Sequence, residues 1–160
     1  MPRTRHYTQQ ALIAAPIDEV WAWLADPLRH VELHPLMRTL TILDEDAGPG
    51  DESAVEFEVV DGLRMMGLEM PLRYRSRMRR RPSQWSLSTE ARCWPRLTTV
   101  VDWRFAPVAD EAGRAPHTRI HEQVSMTAPA AIVGYAMRQS QRSHQRLFEA
   151  LERRILATTS

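Results

Sequence analysis

A chain of 160 residues, 43% hydrophobic and 26% charged, is long enough for one domain spanning residues 1–160 with a real core. A formal net charge of +1 argues against a nucleic-acid partner, no apolar run approaches the ~18 residues of a stable membrane insertion, and a single cysteine excludes a disulfide framework or cysteine-cluster metal site. Met1-Pro-Arg-Thr-Arg leads into no signal-peptide stretch, so a cytoplasmic location is expected; the presence of arginine without any lysine or asparagine fits a GC-rich, bacterial source. In chain order, residues 6–14 suit a first strand, ended by Ala15-Pro16. Ile17, Val20, Trp21 and Leu24 form the buried stripe of a short helix that Asp26-Pro27 stops, with Asp18 and Glu19 at its positive end. Residues 28–33 make a second helical piece, followed by His34-Pro35, a strand over 37–43 and a loop over 44–51 around Gly48-Pro49-Gly50.

From Ser53 the apolar period becomes two, the mark of strands with one buried face. Val55, Phe57 and Val59 alternate with acids, and Asp61-Gly62 can turn the chain. Leu68, Met70, Leu72, Tyr74, Ser76 and Met78 then alternate mainly with arginines, Pro71 demanding an edge or a bulge. Trp85, Leu87, Thr89 and Ala91 form the next strand, Cys93-Trp94-Pro95 a turn, and Leu97, Thr99, Val101, Trp103 and Phe105 the one after. A loop over 107–116 precedes Thr118, Ile120, Glu122, Val124 and Met126, which share a face. Residues 129–155 read as one long amphipathic helix with Thr127 able to cap it; Val133, Ala136, Met137, Ser140, His144, Leu147, Phe148, Leu151 and Ile155 form its stripe.

These elements imply an α+β fold: a curved antiparallel sheet of about seven strands wrapped around the long C-terminal helix, with two short helices after the first strand and a cavity under the helix. Residues 14–27, Ala-Ala-Pro-Ile-Asp-Glu-Val-Trp-Ala-Trp-Leu-Ala-Asp-Pro, resemble the opening signature of the SRPBCC, or START-like, helix-grip superfamily. Glu32-Leu33-His34-Pro35 is similar to its helix-to-strand junction and Trp103-Arg104-Phe105-Ala106-Pro107 to its penultimate strand. The resemblance covers essentially the whole chain and implies an apolar ligand in the cavity. It implies no shared catalytic set, because members include cyclases, aromatases, carriers and co-chaperones.

Site residues therefore come from this chain. His144 and Ser140 lie one turn apart in the apolar stripe, as ligand anchors, with His144 a general acid/base or else a hydrogen-bonded core histidine. Glu122 is a carboxylate in phase with apolar neighbours. It either points inward and pairs with His144 or Tyr74, or a bulge turns it out and His121 in. Trp21, Tyr74, Trp85, Trp103 and Phe105 are aromatic candidates for the cavity lining, joined by Met70, Met137 and, among further methionines, Met65 and Met66. His34 reads as a gate at the cavity mouth. The His30–His34 spacing lacks a third metal ligand, so neither metal nor cofactor is expected. Cys93 reads as structural. The run from Arg73 to Arg81 is read as an outer face paired with Glu56 and Glu58; it or the short helices could also mediate a homodimer. Two functions follow: binding or carrying a hydrophobic or aromatic small molecule, polyketide- or lipid-like, and a polyketide cyclase or dehydratase using His144, Glu122 and Tyr74. Whether the chain is an enzyme stays open at this point.

Overall fold

The computed structural model describes residues 1–65, 67–94, 96–109 and 116–160, with residues 63–65 described by backbone alone. Strand β1 (Pro2–Ile13) leads into helices α1 (Ile17–Leu24) and α2 (Pro27–Leu33). Strands β2 (Met37–Ala47), β3 (Ser53–Met65), β4 (Leu68–Arg81), β5 (Ser86–Cys93), β6 (Leu97–Val108) and β7 (His117–Pro129) follow, then helix α3 (Ala130–Thr159). The seven strands form one antiparallel sheet in the order β1-β7-β6-β5-β4-β3-β2. This is the helix-grip arrangement, with β1 paired to the last strand and α1 and α2 carrying the chain from one sheet edge to the other.

Several local boundaries depart from the sequence reading. Asp61-Gly62 is no turn, because β3 runs on to Met65 and pairs Gly62 with Pro71. Pro71 is accommodated because β5 pairs only with residues 74–81 of β4, so its missing N–H meets no ladder on that side. β2 continues three residues beyond Asp44, with a register shift between Ile42 and Asp44, and the loop shrinks to the turn around Gly50. Trp85 leaves its strand for a left-handed conformation, φ 47°, ending a 3-10 turn over Pro82–Gln84. β6 extends through Val108, into the segment read as a loop. Thr127 does not cap α3: its hydroxyl hydrogen-bonds Thr4 at 2.8 Å, and Pro129 is the N-cap residue. α2 begins one residue earlier than read and is capped by Asp26, which accepts from the Leu28 N–H at 3.0 Å, with Pro27 in the first turn.

Inner-face side chains make the core. Val55, Phe57 and Val59 of β3, Met78 of β4, Leu87 of β5, Phe105 of β6 and Ile120 of β7 join Val20, Leu24, Leu147, Phe148, Leu151 and Ile155 from the helices. On the outer face Arg73 pairs with Glu58 and Arg77 with Glu56, each at 2.7 Å, and Arg81 meets Glu52. That is the cross-strand neutralisation read from the alternating charges. Arg80, in phase with inward Met78 and reaching the Ala25 carbonyl, pairs instead with Glu45 on the inner side. Among the described residues no helix is long and apolar enough to cross a membrane.

Candidate functional site

β7 pairs without interruption with both β1 and β6, so no bulge changes its phase and Glu122 points inward. Gln9 and Trp103 flank it on the neighbouring strands. Its carboxylate has no solvent exposure and accepts three hydrogen bonds. Gln9 Nε2 donates to Oε1 at 2.5 Å, Trp103 Nε1 to Oε2 at 2.5 Å, and His144 Nδ1, from the facing helix, lies 2.6 Å from Oε2. Burial alone would push this carboxyl up. The hydrogen bond and charge of His144, with the N–H groups of Trp103 and Gln9, outweigh burial and hold it below the ordinary carboxylate range.

His144 uses Nδ1 on Glu122, while Nε2 has no hydrogen-bond partner among the described residues. With Nδ1 donating, the neutral ring presents Nε2 as an acceptor, the form a general base requires. Tyr7 Oη lies 3.1 Å from Ser140 Oγ and 3.4 Å from His144 Nδ1. Burial, then the Glu122 charge, raises the Tyr7 pKa, so the phenol stays neutral. His34, at the end of α2, packs edge-on to His144 with ring centroids 6.3 Å apart. Burial and the charges of His144 and His30 push the His34 imidazole down to about 3, leaving it neutral. His30 Nε2 lies 2.8 Å from the Leu24 carbonyl oxygen, so the His30–His34 spacing serves helix packing.

Tyr74 does not join this cluster. Its hydroxyl donates to Asp61 Oδ1 at 3.4 Å, farther along the inner face, where Asp61 is 8% exposed. Burial pushes the Asp61 carboxyl up to about 6, moderated by the Tyr74 hydrogen bond and by Arg38. Arg38 is held at 2.8 Å by Glu69. Gly62, which follows Asp61 and points the other way, leaves space for that pair, since a Cβ there would collide with the Glu69 carboxylate. Between pH 3.8 and about 6 the folded chain holds the Asp61 proton and the unfolded chain does not, so stability falls as pH rises through this window. Asp61→Asn, which carries no charge, is therefore expected to gain up to about 3 kcal/mol over the parent at pH 7.5 and almost nothing at pH 3.5. Urea titrations at the two pH values measure it; an equal gap at both removes the charge as its cause.

The aromatic set divides. Trp21, Trp85 and Phe105 form an edge-to-face cluster, with centroids 5.5 and 5.8 Å from Trp21, and fill core volume apart from the dyad. Trp103 alone of the tryptophans reaches the dyad, packing against His144, Phe148 and His30. Met70 is 53% exposed on the stretch of β4 without a β5 partner, outside the cluster. Met137 is buried on α3, one turn before half-buried Ser140. Met66 and the Met65 side chain lie outside the described residues. Burial, with Asp61 nearby, raises the Cys93 pKa, so its neighbour Arg92, paired with Glu90, does not activate it. Tyr7 and Gln9 were missed by the sequence reading; the alternation Tyr7, Gln9, Ala11, Ile13 toward one face was the available signal.

Helix α3 packs on β1, β7, α1 and α2. Opposite it, the inner face of β4–β6 is only half covered, for Tyr74, Thr89, Ala91, Thr99 and Val101 all keep partial exposure. An incompletely covered stretch of inner face thus adjoins β7, which carries Glu122. A polar hollow of about 420 Å³, with Ser86, Ser88, Asp102, Arg104 and His121 among its lining, lies on the opposite face of the sheet and shares no acid–base group with the dyad.

Solved structures share this fold. The Zhui aromatase/cyclase from Streptomyces sp. R1128 superposes with a TM-score of 0.71 at 18% identity, covering 96% of each chain. A START superfamily protein from Mycobacterium smegmatis gives 0.72 at 11% identity, covering 96% of this chain and 98% of that one. The di-domain ARO/CYC BexL from the BE-7585A biosynthetic pathway gives 0.72 at 15%, with 98% of this chain matching 48% of its own. A comparison with curated proteins finds no match. The family model described as polyketide cyclase / dehydrase and lipid transport matches residues 4–155, and with the fold this establishes that the chain belongs to that family.

Proposed function

We propose that the protein binds an apolar small molecule bearing a carbonyl group, aromatic or polyketide-like, in the groove under α3, and that His144 takes a proton from the carbon beside that carbonyl. The observation that carries this reading is Glu122, a fully buried ionised carboxylate directed at Nδ1 of a histidine whose Nε2 is unused among the described residues. A pure carrier gains little from such a group, because an ionised carboxylate in the core costs several kcal/mol before its partners offset it. Proton transfer needs it: Glu122 holds the tautomer with Nε2 as acceptor and stabilises the imidazolium that forms. Electrons of the broken C–H bond move into the enolate, and the imidazolium can return the proton to carbon, or give it to a hydroxyl leaving as water in a cyclase or dehydratase reaction. The carrier reading rests on the apolar inner-face residues Ala91 and Val101, both half-buried.

Deuterium incorporation into the methyl group of 2-acetonaphthone in D₂O, followed by proton NMR, separates the two. The parent protein is expected to exchange it above the buffer rate and His144→Ala to fall to that rate, while both quench tryptophan fluorescence on binding the ketone. Ketone binding without exchange in the parent protein leaves a carrier.

A further inference from the structure

The dyad leaves a second buried polar group unused. Asp61 sits on the inner face of β3 and, among the described residues, its carboxylate accepts one side-chain hydrogen bond, from Tyr74 to Oδ1. An ionised carboxylate has about four acceptor positions, so among the described residues Oδ2 has no donor, at 8% exposure of the residue. Ser76, next on the same face of β4 and 5% exposed, makes no side-chain hydrogen bond among the described residues. The register sets Asp61 opposite Leu72 and Ser76 opposite Phe57, so Ser76 stands two inner-face rows from Asp61 and takes no part at its carboxylate.

The register places them along the path to the dyad. Tyr74 stands opposite Cys93, Ser76 opposite Ala91 and thence Thr99, Met78 opposite Thr89, and Leu87 opposite Trp103 and thence Glu122. At about 3.3 Å per residue, the row of Tyr74 and that of Glu122 are roughly 20 Å apart along the strands. Thr89 and Thr99 between them are half-buried, with side-chain hydroxyls that also bond no described residue.

We infer that Asp61, held by Tyr74, is a second ligand subsite that takes a phenolic or enolic hydroxyl, distinct from the carbonyl end at His144. The inference rests on the groove reading above. The carboxylate accepts the ligand O–H, supplying the partner that Oδ2 lacks. Groups facing Asp61 are Tyr74 from β4, Cys93 from β5, and Arg38 from β2, which Glu69 holds. The Arg38 charge draws the Asp61 pKa down, but its hydrogen bonds go to Glu69 and the Pro35 carbonyl, so among the described residues it supplies no donor to Oδ2. The same subsite accounts for a buried carboxylate that lowers stability at neutral pH, a cost that ligand binding offsets.

The test compares 2-naphthol with 2-methoxynaphthalene, alike in ring and oxygen but differing in the O–H, by tryptophan quenching at pH 7.5. The parent protein is expected to favour 2-naphthol about tenfold. Asp61→Asn, nearly isosteric and expected to be the more stable protein, is expected to lose that preference while binding 2-methoxynaphthalene as before; His144→Ala is expected to keep it. At pH 5, where Asp61 takes up its proton, the parent's preference shrinks. A preference that survives Asp61→Asn but disappears in His144→Ala overturns the subsite and gives the hydroxyl to the dyad. Equal binding of both probes by the parent overturns it with groove binding intact, and binding of neither overturns the groove reading as well.

Discussion

Glu122→Gln is expected to lower the unfolding free energy by about 3 kcal/mol at pH 7 and to slow proton transfer by about 10²–10⁴-fold. The carboxylate accepts from Gln9, Trp103 and His144. A glutamine amide carries no charge and supplies one oxygen. Trp103 and His144 then either share a neutral acceptor in place of a charged one, with the Gln9 amide flipped to accept from the new NH₂, or face that NH₂ and lose their acceptor. If that NH₂ faces His144, it donates to Nδ1 and reverses the tautomer, moving the ring proton to Nε2, and the base is lost. The stability penalty carries a pH signature. Because the folded-state pKa of Glu122 is lowered, its stabilisation is present above the ordinary value of 4.5 and disappears as pH falls through the folded value. Urea midpoints of parent and variant should converge in acid, and 2-acetonaphthone exchange measured alongside gives the rate. A variant as stable as the parent at pH 7 removes the charged hydrogen-bond network as the explanation.

Phe148→Ala is expected to cost about 3–5 kcal/mol, the range for emptying an aromatic site in a packed core. Phe148 is 5% exposed on α3 and packs against Trp103 with ring centroids 5.8 Å apart. Trp103 donates to Glu122, so the cavity also frees the indole that fixes the carboxylate. The two variants share a neighbour, and the double variant Phe148→Ala with Glu122→Gln should lose less stability than the two single changes together. Denaturant titration of the four proteins measures this coupling; strict additivity separates core packing from the dyad.

Much of this architecture was legible in the sequence because it follows from periodicity. The alternation from Ser53 onward and the three-and-four spacing of Val133, Met137, Leu147, Leu151 and Ile155 specify a half-buried sheet and one long helix. Asp26-Pro27 was read as the stop of α1, and the structure adds that Asp26 also caps α2 through a local hydrogen bond. Boundaries were harder wherever pairing overrode local preference. Asp61-Gly62 has turn chemistry, yet the β3–β4 ladder continues through it because the ladder hydrogen bonds and the buried residues on either side outweigh a turn preference. In the same way Thr127 satisfies its hydroxyl on β1, a neighbour distant in sequence, instead of capping α3.

The sequence by itself determined the element types, the inward set of side chains and the identities of His144 and Glu122, since each depends on spacing within one segment. Only the tertiary structure decided that those two meet. They lie on a strand and the helix covering it, and whether their phases bring Nδ1 to the carboxylate depends on how β7 registers with β1 and β6. It likewise sent Tyr74 to Asp61, drew Tyr7 and Gln9 from the far end of the chain, and gathered Trp21, Trp85 and Phe105 into the core. Contacts of that kind join different elements, from 13 residues apart for Tyr74 and Asp61 to 133 for Tyr7 and Ser140, and no local pattern encodes which side chain stands opposite which.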